Sequence, residues 1–305
     1  MKALLVFALA GAAFGQDAAA LRQDVTYLAS EQLEGRLTPS YGLDQAAEFL
    51  AKKFEAAGLE PADHGSYFQG PSRERGPHNV AAILRGSDPV MRDEYVILSA
   101  HYDHLGRSKG TLFPGANDNA SGTASVVEIA SALAARPERP KRSILFIAFY
   151  GEEEGLLGSS WYVQHPLVPL KNTVAEINLE QLGRTDSTSG PEVGTFAMTG
   201  TGYSNLGTMI GEAVNSAGVH IYHRPDEDDF FNRSDNFPFA LKGVVDTTFV
   251  VAFEFPDYHG PGDTAEKLDY GNLAAVDRGA EAAVVELANS PARPAWTKKP
   301  PARRK

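Results

Sequence analysis

Apolar and polar positions follow two rhythms along this chain. Leu21, Val25 and Leu28, then Leu43, Ala47, Leu50 and Phe54, recur at helical spacing, and the second run stops at Gly58, a residue suited to end a helix. Asn79 to Leu84, Tyr95 to Ala100 and Ser143 to Tyr150 are instead short apolar or β-branched runs bounded by Gly, Asp and Pro, which predicts buried strands. Between the last two, Gly122 to Ala135 carries Val126, Val127, Ile129, Ala130 and Leu133, a helix able to pack on a sheet. Ala175 to Leu179 and Phe249 to Phe253 read as further strands. Leu206, Met209, Ile210 and Ala213 mark a helix ending near Gly218, and Leu273, Val276, Ala280, Val284 and Leu287 mark a closing helix. Strand, helix, strand in this order predicts an α/β fold with a mostly parallel sheet.

Composition narrows this to one folded domain. The 305 residues are 43% hydrophobic and 22% charged, enough to bury one large core. Met1-Lys2 and the apolar run Ala3 to Phe14 have the layout of a secretory signal over residues 1–15, with Ala13-Phe14-Gly15 before Gln16 as the cleavage site; a buried first helix is the alternative. No later run approaches the roughly 20 apolar residues of a membrane span. Cysteine is absent, so neither disulfides nor a lipid-modified cysteine is available, and the expected location is the periplasm or the medium. The net charge of −11 gives no basis for nucleic-acid binding. Residues 291–305 hold six Lys or Arg and no acid, the composition of a disordered tail or of a segment docking on an acidic surface. That leaves 16–290 as the folded domain, expected to be monomeric, with His64 to His78 as a connecting loop.

Candidate chemistry gathers where the predicted strands end, the position at which open α/β sheets place their sites. His101, Tyr102, Asp103 and His104 end one strand, and a Gly- and Pro-rich loop then delivers Asp118 just before a helix. Glu152 and Glu153 follow the next strand, Glu180 another, and His259 lies in Asp257-Tyr258-His259-Gly260 after the last. Singly, each has a plain alternative: Asp118 as a helix cap, the glutamates as a solvated run, His259 as a loop histidine. Together, two histidines and three carboxylates are what two adjacent divalent cations need when one carboxylate bridges them. Arg36, in Leu33-Glu34-Gly35-Arg36, reads either as a substrate contact or as one half of a structural pair with a nearby acid.

The combination Ala100-His101-Tyr102-Asp103-His104, Gly115-Ala116-Asn117-Asp118-Asn119-Ala120-Ser121-Gly122, Glu152-Glu153-Glu154-Gly155-Leu156-Leu157-Gly158-Ser159, Asn178-Leu179-Glu180 with Gly183-Arg184, and Asp257-Tyr258-His259 resembles the clan MH di-zinc exopeptidases. That group includes secreted bacterial aminopeptidases, glutamate carboxypeptidase II and glutaminyl cyclases. The resemblance covers nearly the whole chain after residue 15. It implies a three-layer α/β/α sandwich with a mostly parallel, mixed central sheet and a site for two Zn2+. It implies that His101 and Glu180 bind one metal, that Glu153 and His259 bind the other, and that Asp118 bridges them. Asp103 would orient the His101 ring, Glu152 would act as general base, and Tyr258 would donate its hydroxyl to the substrate carbonyl oxygen. His104 matches His101 in type, but the family pattern and the neighbouring Asp103 favour His101.

The activity so implied is secreted metallo-aminopeptidase action on peptide N-termini, with a carboxypeptidase or glutaminyl cyclase as the alternative and an inactive binding module as the least favoured reading. Two positions depart from the pattern: Glu180 stands where the family usually has Asp, and Asn236, in Arg233-Ser234-Asp235-Asn236, stands where it usually has His. The short loop before Asn79 leaves no room for the protease-associated domain of larger relatives. The substrate pocket is expected around Tyr203 and the acidic loop Asp226-Glu227-Asp228-Asp229, neither of which carries a recognisable specificity signature.

Overall fold

In the computed structural model, which describes residues 17–72, 76–187 and 192–300, the apolar runs become helices and strands in the expected order. The signal-like stretch 1–15 lies outside the described residues. Helices α1 (Ala18–Leu28) and α2 (Tyr41–Ala56) come first. Each begins at a side chain that accepts an N–H left free in the first helical turn, Asp17 from Ala19 at 2.8 Å and Ser40 from Leu43 at 3.1 Å. The short strands β1 (Glu60–Pro61) and β2 (Phe68–Gln69) precede β3 (Asn79–Leu84) and β4 (Tyr95–His101). A small hairpin of β5 (Arg107–Ser108) and β6 (Thr111–Leu112) leads to α3 (Gly122–Ala135), then β7 (Ser143–Phe149), α4 (Leu157–Gln164) and β8 (Thr173–Glu180). The last third adds β9 (Thr195–Met198), α5 (Leu206–Ser216), β10 (His220–Tyr222), α6 (Phe237–Leu241), β11 (Asp246–Val250) and α7 (Tyr270–Asn289).

Nine strands form one sheet in the order β1-β3-β7-β4-β8-β11-β9-β10, with β2 beside β3. The middle four, β7, β4, β8 and β11, run parallel, and the reversed strands β3 and β9 flank them. Alternate residues feed opposite faces, as a period of two requires. Val96, Leu98, Phe146 and Ile177 pack with the apolar stripes of α1, α2, α3, α5 and α7. Ile97, Leu145, Ile147 and Phe149 pack on the other face with Tyr162 of α4 and Phe239 of α6. The architecture is the three-layer α/β/α sandwich with a mixed sheet that the resemblance implies. Among the described residues no helix is long and apolar enough to cross a membrane.

Four expectations about the fold need correction. The strand expected at Phe249 to Phe253 lies three residues earlier, because its first half is polar yet buried. Asp246 accepts from Asn236 Nδ2 at 3.1 Å, Thr247 donates to the Thr199 carbonyl at 2.8 Å, and Thr248 donates to Asn236 Oδ1 at 2.9 Å. Second, the segment from Pro291, expected to be disordered, is docked as far as Lys298: Thr297 and Lys298 both donate backbone N–H groups to the Tyr203 carbonyl, and the Trp296 indole donates to Gly243 at 3.1 Å. Third, Arg36 is neither a substrate contact nor half of an exposed ion pair. It is fully buried and donates to the carbonyls of Leu28, Tyr102, Pro114 and Gly115. The loop expected at His64 to His78 also contributes β2 to the sheet.

Candidate metal centre

The parallel arrangement of β7, β4, β8 and β11 brings four C-terminal strand ends to one edge of the sheet, and the candidate residues converge there. His101 is the last residue of β4 and Glu180 the last of its neighbour β8, with His101 Nε2 at 3.1 Å from Glu180 Oε1. Asp118 enters from the loop before α3 and faces both imidazoles: its Oδ1 lies 3.4 Å from His101 Nε2 and its Oδ2 3.2 Å from His259 Nε2. Glu153, just past β7, completes the set with Oε2 at 3.3 Å from His259 Nε2.

The loops that hold these side chains are built for the purpose. Asn117 accepts the backbone N–H of Gly183 at 2.7 Å and of Arg184 at 3.1 Å, while Asn119 donates to the Leu179 carbonyl and accepts from Gln181. The two asparagines thereby fasten the Asp118 loop to the end of β8. On its other side, Asp263 accepts the N–H groups of Asn117 and Asp118 at 2.9–3.0 Å. Arg184 donates to Asp257 at 2.9 Å and so ties the β8 end to the turn that carries Tyr258 and His259. Asp103 lies 3.5 Å from His101 Nδ1 and accepts the Glu152 N–H at 3.1 Å, so one buried carboxylate sets both a ring and the neighbouring backbone.

Whether this donor set suits a metal can be judged from its spacing and charge. In a tetrahedral zinc site with ligands at 2.0–2.1 Å, neighbouring donor atoms stand about 3.3 Å apart. The separations at 3.1, 3.2, 3.3 and 3.4 Å cluster on that value. Among the described residues no Lys or Arg pairs with Asp118, Glu153 or Glu180, so the ion-pair partners of these three buried or nearly buried carboxylates are imidazoles. Contact with Asp118 and then Glu153 pushes the His259 ring up to about 10. Burial pushes the Asp118 carboxyl up, but His101, His259 and His104 outweigh it and hold that carboxyl well below the usual range. The cluster demands positive charge, and a pair of divalent cations fits it.

All eight residues singled out from the sequence lie at this edge, and the two departures from the family pattern acquire structural partners. The longer Glu180 side chain is anchored at Oε2 by the Ser234 hydroxyl and by Asn178 Nδ2. Asn236 occupies a buried polar knot with Asp246, Thr248 and the Phe231 carbonyl, away from the carboxylates. A cavity of about 350 Å3 opens over the cluster, floored by Asp118, Glu152, Glu153 and Glu180. Its walls include Tyr258, stacked on the His259 ring at 4.0 Å, and the rings of Phe230 and Phe253 at 4.4 Å from each other. The pocket-forming role expected for Tyr203 and the acidic loop is not observed. Tyr203 packs on Phe231, and Asp226 is taken up by Arg224 at 2.8–2.9 Å. Asp263 and Ser234 escaped sequence reasoning; the first lies in Gly260-Pro261-Gly262-Asp263, which reads as a turn, and the second in the segment noted only for Asn236.

Residues 79–284 match Peptidase family M28. Aminopeptidase YwaD of Bacillus subtilis (strain 168) is 32% identical over 227 residues, 72% of this chain and 47% of that protein. This chain therefore aligns with about half the length of that relative. A probable zinc metalloprotease of Pyrenophora tritici-repentis is 27% identical over 90% of this chain and 74% of its own length. The crystal structure of the Legionella pneumophila LapA aminopeptidase superposes with a TM-score of 0.72 at 21% identity, covering 90% of this chain and 73% of that one.

Proposed function

Because the chain belongs to Peptidase family M28, we propose that it is a zinc aminopeptidase holding two zinc ions and removing N-terminal residues from peptides. The observation that carries this reading is the two-sided Asp118, whose separate oxygens face His101 and His259. In the proposed set His101 and Glu180 hold one ion, Glu153 and His259 the other, and Asp118 both. Bound zinc supplies Lewis acidity toward a carbonyl oxygen and lowers the pKa of an attacking water to about 7. Glu152 would take a proton from an attacking water and return it to the leaving amine nitrogen. Its backbone is fixed by Asp103 and its side chain lines the cavity. Burial raises the Glu152 carboxyl well above the usual range, with Glu180, Asp235 and Glu153 adding to it and His101 opposing. Tyr258 donates its hydroxyl to the carbonyl oxygen as charge develops there; burial, then Asp118, Glu180 and Glu153, raise its pKa and keep it protonated.

The acidic floor favours a substrate with a free α-ammonium. The Phe230 and Phe253 rings, with Val250 and Leu156, favour an apolar N-terminal side chain. Arg224 lies 4.6 Å from the Phe253 ring and Arg233 4.9 Å from the Phe230 ring, and these cations disfavour a basic one. A panel of aminoacyl nitroanilides with N-acetylated controls tests this directly. The expected order is leucine and phenylalanine first, lysine and arginine last, and no turnover of blocked substrates; hydrolysis confined to the blocked substrates would overturn the aminopeptidase reading. Export is proposed with it, from the signal-like residues 1–15. N-terminal sequencing of protein recovered from the medium or periplasm should then begin at Gln16, and recovery of the intact chain in the cytosol alone would refute it.

A further inference from the structure

His104 lies beside the proposed ligands yet has no part in the reading above. Its Nδ1 stands 2.8 Å from Glu153 Oε1, shorter than the 3.1–3.4 Å of the four donor pairs around Asp118, and a donor atom of the ring lies within 4.8 Å of ligand atoms of both Asp118 and Glu153. Its Nε2 is buried and has no hydrogen-bond partner among the described residues. That pair of facts selects one tautomer. With the proton on Nδ1, the ring donates to Glu153 and leaves only an unshared lone pair inside the protein; with the proton on Nε2, a buried N–H would go unsatisfied, which costs about 1–3 kcal/mol.

The ring occupies a made-to-measure niche. It is fully buried, and its backbone N–H donates to the Arg36 carbonyl at 3.2 Å. The facing wall is Gly115, at φ +59°, where an added Cβ would stand 2.4 Å from His104 Cγ. Arg36 in turn grips the carbonyls of Pro114 at 2.9 Å and Gly115 at 3.0 Å, so one buried residue holds two sides of the niche, one through its guanidinium and one through its carbonyl. His259 closes the niche edge-on, with ring centroids 5.8 Å apart.

We propose that His104 is a positioning residue whose Nδ1–H fixes Glu153 Oε1, turns Oε2 alone toward His259 and Asp118, and thereby sets how tightly zinc is held at that end of Asp118. The inference rests on the two-zinc reading. It makes the site symmetrical in logic: Asp103 orients an imidazole at one end, and His104 orients a carboxylate at the other.

The test uses the zinc-loaded enzyme. Histidine 15N spectra, with His104 assigned from its absence in His104→Asn, should show a protonated Nδ1; an unprotonated Nδ1 would make His104 a ligand and overturn the proposal. Chelator titration with zinc counting gives the second arm. His104→Leu should release one of two ions at about 10–100-fold lower chelator concentration and keep the other as in the wild type, while His104→Asn, which retains a short N–H donor, restores retention. Unchanged retention of both ions in His104→Leu, or equal weakening of both, overturns the proposal. If His104→Leu fails to fold, the wild-type spectrum still decides. A wild-type enzyme that retains fewer than two zinc ions instead refutes the two-zinc reading itself, before any variant is compared.

Discussion

Glu152 and Glu153 are neighbours in sequence with different environments, and that difference separates their roles. Glu153 faces two histidines, while Glu152 points into the cavity with no ion-pair partner among the described residues. Replacing Glu152 with Gln should lower kcat by about 10²–10⁴-fold while the zinc content stays at the wild-type level, checked by turnover and metal analysis on one preparation. Activity within a few fold of wild type would remove Glu152 as the base. Asp263 acts at one remove: Asp263→Ala leaves the Asn117 and Asp118 N–H groups without their acceptor, and zinc affinity should fall about 10–100-fold with the far-UV spectrum unchanged. Equal affinity would mean that the asparagine clamps alone hold the loop. The candidate residues at the strand ends were legible in the sequence because His and carboxylates after apolar runs are unusual. Asp263 was not, because its three contacts are to backbone N–H groups, which leave no pattern of residue types.

Elements with an apolar period were readable, and elements whose burial rests on hydrogen bonds were misplaced. β4, β7 and β8 announce themselves as runs of Val, Ile, Leu and Phe, whereas β11 opens with Asp246, Thr247 and Thr248, each buried by a hydrogen-bond partner outside the strand, Asn236 or Thr199. The strap after α7 failed to show itself for a related reason: its composition is that of a solvated tail, and backbone hydrogen bonds to Tyr203 and one half-buried indole anchor it. Trp296 packs edge-on against Phe231 at 6.3 Å and reaches the Gly243 carbonyl. Removing the ring by Trp296→Ala should destabilise the protein by about 2 kcal/mol, below the 3–5 kcal/mol of a fully buried Trp. Denaturant unfolding measures this, and a loss under 0.5 kcal/mol, the ordinary surface value, would show the strap to be decoration.

The packing of α7 on the sandwich makes a prediction about the whole molecule's response to pH. Asp277 is fully buried in that helix, and burial raises its carboxyl well above the usual range, with Glu128 and Glu281 adding to the effect and Ser125 opposing it. The folded chain therefore keeps a proton that the unfolded chain releases near pH 3.9, so stability falls as pH rises above that value toward the raised one. Asp277→Asn removes this contribution. Its melting temperature should decline less than that of the wild type from acidic to neutral pH, and parallel curves would refute the assignment. At this scale the α/β class with its mostly parallel sheet was legible from apolar periods, whereas the three-layer sandwich was implied by the family resemblance. The order of its strands has a temporal meaning as well. The proposed ligands begin at His101 and end at His259, on β4 and beyond β11, so the central strands must pair before the carboxylates meet. Such distant pairings form late in folding. A chain still being made thus carries no assembled metal site, and its own newly synthesised neighbours are spared until the last turn closes.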